Sequence, residues 1–302
     1  MTSARGRGLS ERAARGTEHR IHLADERTLA CLELGDLGGA PVIYFHGFPG
    51  SRLEAHLAAE AAKRLRLRLL APDRPGFGES TFLPGRTIGN WAEDVAELTD
   101  QLGLQRCAVV GVSGGGPYAL ACAARIPGRL RGVALVGALG PLAGVRSTRG
   151  MVALNRLALA LAARSPSMAR LAIGLAARWV RRRPERFLAR MSAGAPAADR
   201  AVLTDAGYRA IFSASTAEAL RQGGWGVAWE LTLLARAWDF RLQEVRVPVR
   251  IWQGLADNIV PAAMARRLAG ELPTSETHYL PGEGHLSLVA RRLDAVLEDL
   301  CT

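Results

Sequence analysis

The sequence predicts an α/β protein with an all-helical insert, and three observations carry that expectation. Short apolar runs such as CAVVGV and RGVALVG alternate with stretches whose apolar residues recur at helical period. Continuous rather than alternating apolar runs mark strands covered on both faces, as in a largely parallel sheet built from βαβ units. The rhythm stops between about Leu142 and Trp238, where helical patterns are broken by Pro and Gly and no convincing strand occurs, and it resumes at VPVRIWQG.

Taken in order, HRIHLA and RTLACLELG alternate on either side of Asp25 and Glu26, the pattern of a hairpin. PVIYFHG is a buried strand running into a glycine. Ser51 to Leu65 has helical spacing, RLRLLAPD is a strand, and Asn90 stands where it would cap the helix of GNWAEDVAELTDQLGL. After CAVVGV a helix runs from Gly115 to Ile126, is stopped by Pro127 and Gly128, and leads to RGVALVG. Beyond the insert, PAAMARRLAGEL is a helix, THYL a strand and LSLVARRLDAVLEDL a closing amphipathic helix. The expected boundaries are a flexible leader over 1–20, a sheet-bearing core over 21–140 and 241–302, and a helical insert over 141–240.

The bulk properties narrow the class. Of 302 residues 49% are hydrophobic and 22% charged, a globular composition, and no apolar run reaches the roughly 18 residues of a membrane-spanning helix. The arginine-bearing N-terminus lacks the apolar segment of a secretory signal, so a cytoplasmic protein is expected. Cys31, Cys107, Cys122 and Cys301 show no metal-binding spacing, and neither metal nor cofactor is expected.

The net charge of +11 is concentrated: Pro141 to Ala198 holds eleven arginines against one acid, Glu185. A solvated arginine-rich face accounts for this, as does a landing site for an acidic partner, an acidic substrate or a membrane surface. No nucleic-acid motif accompanies it, and no nucleic-acid partner is expected.

The chemistry gathers at VVGVSGGGPYALA. Ser113 falls between a buried strand and a helix, in a turn so sharp that Gly111 and Gly115 are needed to remove colliding β-carbons, while Gly114 leaves its N–H approachable. A serine hydroxyl needs a base to become a nucleophile, and that base needs a carboxylate to orient it. With the serine at such an elbow the chain order is Ser, acid, His. Of the two histidines that follow, His278 lies inside a strand and His285 in the loop PGEGHL after it, where ligands meet an open α/β sheet. Asp257 in GLADNIVP occupies the equivalent loop of its own strand, whereas the loop after RGVALVG offers only Ala138, Leu139 and Gly140. The N–H groups of Gly114 and Phe48 are the expected oxyanion donors, since Pro49 has none, with His46 and Gly47 shaping that loop.

Five motifs in order then resemble the α/β-hydrolase superfamily: HGFP from His46, DRPGFGES from Asp73, GVSGG from Gly111, GLADNIVP from Gly254 and GEGH from Gly282. The resemblance implies about eight strands, the insert as a cap over the site, and a cis bond between Phe48 and Pro49. Epoxide hydrolases and haloalkane dehalogenases in that superfamily carry an aspartate at the elbow, and proline iminopeptidases tend to carry Trp after the serine. Ser113 and Gly114 argue against these. Carboxylesterases, lactonases, thioesterases and carbon–carbon bond hydrolases stay compatible.

The expectation is therefore a serine hydrolase acting on a small-molecule acyl substrate through Ser113, His285 and Asp257. One alternative is a biosynthetic thioesterase, cyclase or elimination enzyme whose arginine-rich cap docks an acidic carrier protein, and another is a ligand-binding protein with an idle triad. Trp225 and Trp229 share a helical face with Leu233, which suits either packing within the insert or an apolar substrate pocket.

Overall fold

Apolar runs flanked by amphipathic segments fold here into one eight-stranded sheet with helices on both faces. The structure, a computed structural model, describes residues 16–142, 148–191 and 194–301. The strands are β1 Thr17–His22, β2 Thr28–Gly35, β3 Ala40–Phe45, β4 Leu67–Pro72, β5 Cys107–Val112, β6 Leu130–Val136, β7 Val249–Gly254 and β8 Ser275–Leu280. Their spatial order is β1-β2-β4-β3-β5-β6-β7-β8. β2 runs antiparallel to β1 and β4, and the remaining pairings are parallel. The order reverses at β3, whose neighbours β4 and β5 lie on opposite sides, and the crevice at the carboxyl ends of β3 and β5 is where such sheets receive ligands.

Alternation along each buried strand divides two cores. On one face Val109 and Ile43 pack with Trp91, Val95 and Leu98 of α2 (Trp91–Gln101), with α3 (Gly116–Arg125) and with α10 (Ala262–Glu271). On the other, Val110 and Tyr44 pack with Ala61 and Ala62 of α1 (Ala59–Arg64) and with Leu288, Leu293 and Leu297 of α11 (His285–Cys301). Among the described residues between β6 and β7 come six α-helices: α4 Ala153–Arg164, α5 Pro166–Arg182, α6 Pro184–Met191, α7 Ala197–Thr204, α8 Ala206–Ala219 and α9 Trp225–Ala235. No strand occurs among the described residues of this stretch.

Three local expectations change. β1 begins at Thr17, inside the range expected to be leader, because antiparallel pairing with Glu33 extends the ladder back that far; residues 1–15 lie outside the described residues. The helix expected from Ser51 opens as a 3-10 turn over Arg52–Ala58 and becomes α-helical only at Ala59. Asn90 precedes α2 but does not cap it. Its Oδ1 turns back to accept from the N–H and hydroxyl of Thr87, both at 2.9 Å.

The insert meets the core by backbone contact. A β-carbon on Gly226 of α9 would stand 2.2 Å from the carbonyl oxygen of Gly76, so only glycine permits that approach. Gly226→Ala is expected to lower the unfolding free energy by about 1–3 kcal/mol through overpacking, although alanine is the better helix former. Gly174→Ala in α5, where a β-carbon meets nothing within 4 Å, is expected to raise it by about 0.5–1 kcal/mol. Urea denaturation of the two variants checks the contrast in sign.

Candidate active site

Ser113 leaves β5 with a φ of +51°, in the left-handed region that costs a non-glycine residue about 1–3 kcal/mol. Neighbouring glycines make room for that conformation. A β-carbon on Gly115 would lie 2.3 Å from the carbonyl oxygen of Phe45, and one on Gly111 2.8 Å from Cβ of Ala119. At Gly114 it would meet Cβ of Phe48 at 2.7 Å and the Phe48 nitrogen at 3.5 Å. The elbow and the loop after β3 are thus in contact, with Phe48 and Gly114 side by side.

β7 and β8 end at the same edge and deliver the acid and the imidazole. His285 Nε2 stands 3.0 Å from Ser113 Oγ, and His285 Nδ1 stands 2.7 Å from Asp257 Oδ2. The other Asp257 oxygen accepts from the N–H groups of Ile259 and Val260, both at 2.8 Å, which fixes the carboxylate. A carboxylate only accepts, so Nδ1 carries hydrogen toward it and the lone pair of Nε2 faces the Ser113 hydroxyl. Burial disfavours the charged ring, but the negative charge of Asp257, with Asp199 and Glu54 further off, outweighs it and holds the His285 pKa above the usual histidine value. Gly137, with φ of +54°, passes beside the ring: a β-carbon there would come 3.2 Å from Nδ1.

The loop after β3 contains the cis bond between Phe48 and Pro49 that the resemblance implies. The Gly47 N–H donates to Glu54 Oε1 at 2.9 Å, and the Tyr44 hydroxyl donates to the same oxygen at 3.0 Å. Burial pushes the Glu54 carboxyl above its ordinary value despite these donors. His46 is fully buried. Its Nδ1 donates to the Gly47 carbonyl at 2.9 Å and its Nε2 accepts from the Arg74 N–H at 3.4 Å. Burial, reinforced by the Arg74 charge, holds its pKa well below the usual value, so the ring is neutral.

Two acids in the insert were not assigned to this site from sequence. Glu230 of α9 is fully buried and accepts from Arg74 Nη2 at 2.6 Å, Arg86 Nη2 at 3.0 Å and the Tyr118 hydroxyl at 3.1 Å. Arg74 also donates to the carbonyls of His46 at 2.7 Å and Gly47 at 3.0 Å, so one guanidinium ties the insert to the loop after β3. Asp199 of α7 is fully buried at the first turn of α11, accepting from the N–H groups of His285 at 2.9 Å and Ser287 at 2.8 Å. Gly284 leaves room for it, since a β-carbon there would sit 2.5 Å from the Asp199 carboxylate. A lone charge within the apolar run WGVAWELTLLA was the available signal for Glu230.

A cavity of about 380 Å³ opens over Ser113 and His285. Its walls are mostly apolar, with Leu139 and Met151 joined by Phe212, Leu231 and Leu234, while Glu54 and Asp199 supply carboxyl groups. Neither Trp225 nor Trp229 lines it, which corrects the pocket expectation. α9 is apolar on all sides, and the side it turns to the cavity bears Val227, Leu231 and Leu234. Trp229 points the other way, its Nε1 donating to the Arg86 carbonyl at 3.1 Å, and Trp225 is 56% exposed beneath the Arg170 guanidinium. Among the described residues no group of three or more His, Cys, Asp and Glu side chains is placed to hold a metal ion.

The family model described as alpha/beta hydrolase fold matches residues 40–290. The chain is 38% identical over 112 residues to the 2-hydroxy-6-oxo-2,4-heptadienoate hydrolase of Pseudomonas putida, covering 35% of this chain and 41% of that protein. It is 37% identical over 119 residues to haloalkane dehalogenase 2 of Mycobacterium tuberculosis, covering 38% of this chain and 37% of that one. The matched stretch thus spans less than half the length of either relative. An esterase structure from Exiguobacterium antarcticum superposes with a TM-score of 0.71 at 17% identity, over 95% of this chain and all of that one, a likeness of fold.

Removing one partner from a buried charge cluster leaves the others uncompensated, at a cost of about 3–5 kcal/mol. Glu230→Ala is expected to lose that much stability, read from the midpoint of chemical denaturation.

Proposed function

The chain belongs to the alpha/beta hydrolase fold family, and on that premise we propose that it is a serine hydrolase cleaving carboxylic esters of apolar acyl groups through an acyl-enzyme. The observation that carries this reading is the continuous relay from Asp257 through His285 to Ser113, at 2.7 and 3.0 Å. His285 takes the Ser113 proton as Oγ attacks the ester carbonyl, and Asp257 stabilises the imidazolium that forms. The amides of Gly114 and Phe48 receive the oxyanion. His285 returns its proton to the departing alkoxide, then activates the water that releases the acid. The helical insert serves as the cap, and its apolar cavity wall selects the acyl group.

A second reading, hydrolysis of a carbon–carbon bond beside a ketone, draws on the identity to the heptadienoate hydrolase, whose named substrate carries a 6-oxo group and no ester. Turnover of p-nitrophenyl esters, lactones, thioesters and a 2-hydroxy-6-oxo dienoate separates the two.

Two outcomes test the proposal. A fluorophosphonate is expected to label wild-type protein at Ser113, and Ser113→Ala or His285→Ala to reduce kcat by about 10⁴-fold or more. Folded protein that takes no label at Ser113 excludes the reading. The second is pH dependence. Only neutral His285 accepts the serine proton, and Asp257 raises its pKa above 6.5, so the labelling rate should fall on acidification through a midpoint above that value. Asp257→Asn removes the raising charge while burial persists, which moves the midpoint down.

A further inference from the structure

Helices α4 and α5 are joined by Ser165 alone, and each is apolar on two opposite sides. Inward they bury Leu159, Ala162, Ala169, Ala177 and Val180. Outward, Leu154, Leu157 and Leu161 recur at spacings of three and four on α4, as do Met168, Leu171 and Leu175 on α5. All six are exposed, from 36% at Leu161 to 76% at Leu175. Trp225 stands against Arg170 of α5 and adds its ring. Seven of the nine large exposed apolar side chains among the described residues therefore fall on this hairpin and the adjoining start of α9, which makes a patch rather than normal scatter. Neither helix contains an acidic residue, and Arg156, Arg164, Arg170, Arg178, Arg181 and Arg182 are exposed along them.

We propose that the α4–α5 face docks on an anionic lipid surface. A helix lying in a bilayer interface needs an apolar stripe to enter the acyl region and cations to meet the headgroups, and this hairpin carries both. A tryptophan at the rim suits the interfacial depth. A second copy of this chain fits less well, because a two-fold contact would set these arginines against one another. An acidic protein would satisfy the arginines and leave the leucine stripes unmatched. The inward sides of the same helices supply Leu159, Ile173, Ala177 and Val180 to the cavity, and Leu154 of the outward row borders it too, so docking would set that wall within about one helix diameter, roughly 10 Å, of the lipid.

Co-sedimentation of the full chain with phosphatidylcholine vesicles, with and without phosphatidylglycerol, tests this at physiological salt. Wild type should bind the anionic vesicles and bind pure phosphatidylcholine far more weakly. A triple Leu157→Ser, Leu171→Ser, Leu175→Ser variant should bind anionic vesicles about tenfold or more weaker, with an unchanged circular dichroism spectrum and melting midpoint, since all three side chains are exposed and none lines the cavity. Brominated lipid should quench wild-type fluorescence, and Trp225→Phe should remove that quenching. Failure of wild type to bind anionic vesicles overturns the proposal. Equal binding by the triple variant overturns it too, by reducing the effect to charge alone. A dimer that the triple variant dissolves, with vesicles left unbound, reassigns the face to a second copy. None of these readouts depends on ester hydrolysis, so they stand or fall apart from the catalytic reading.

Discussion

The close approach of two backbones at the carboxyl edge of the sheet governs the site. Gly115 comes so near the end of β3 that a β-carbon would enter the carbonyl oxygen of Phe45. That contact lets Ser113 take its left-handed turn directly beside the loop of His46 to Pro49. In register terms Phe45 pairs with Gly111, so the hydroxyl and the Phe48 amide leave adjacent strands at one level. Parallel β6, β7 and β8 extend the same edge, and the loop after β7 and the start of α11 after β8 bring Asp257 and His285 back to it. A parallel sheet thus converts distance in sequence into proximity at one rim.

The helical insert is fastened to that rim by buried charge. Glu230 reaches Arg74 and Arg86, and Asp199 holds the first turn of α11, on which His285 sits. A third link joins Arg52 to Asp73 of the core at 2.6 Å and to Glu218 of α8 at 2.8 Å. Burial pushes Asp73 up to about 6, Arg52 opposing it. Such clusters pay heavily in desolvation and add little net stability against an apolar alternative; what they supply is a single arrangement, since any shift of the insert would strand a charge. Cavity walls and serine are therefore positioned together.

The strands were legible because burial on both faces demands unbroken apolar runs, and CAVVGV and RGVALVG have few other uses. Ser113 and Asp257 were legible because each follows such a run at a glycine-marked turn; β8 is no such run, and His285 was legible from the glycines of PGEGHL, although it stands at the start of α11 and not in the expected loop. The orientation of α9 was not. WGVAWELTLLA is apolar around its whole circumference, so no periodicity says which side meets the cavity, and the tryptophans chosen from it face away. Glu230 and Asp199 were missed for a related reason: their partners lie far off in the chain, Arg74 being 156 residues from Glu230 and His285 86 from Asp199. A lone acid in an apolar helix signals that a buried partner exists but cannot say which.

Two buried histidines stand at this edge, and burial alone would keep both neutral and weakly basic. Their neighbours push them apart. His46 lies among Arg74, Arg86 and Arg52, each of which further disfavours a ring proton. His285 lies among Asp257, Asp199 and Glu54, each of which favours one. A base must hold the proton it takes while charge develops elsewhere, so only the imidazole surrounded by carboxylates is fitted for that step in the proposed reaction. The arginines that disqualify His46 are also those that clamp the insert and brace the Gly47 carbonyl. The same charges that hold the scaffold rigid thus divide the work between two chemically identical rings.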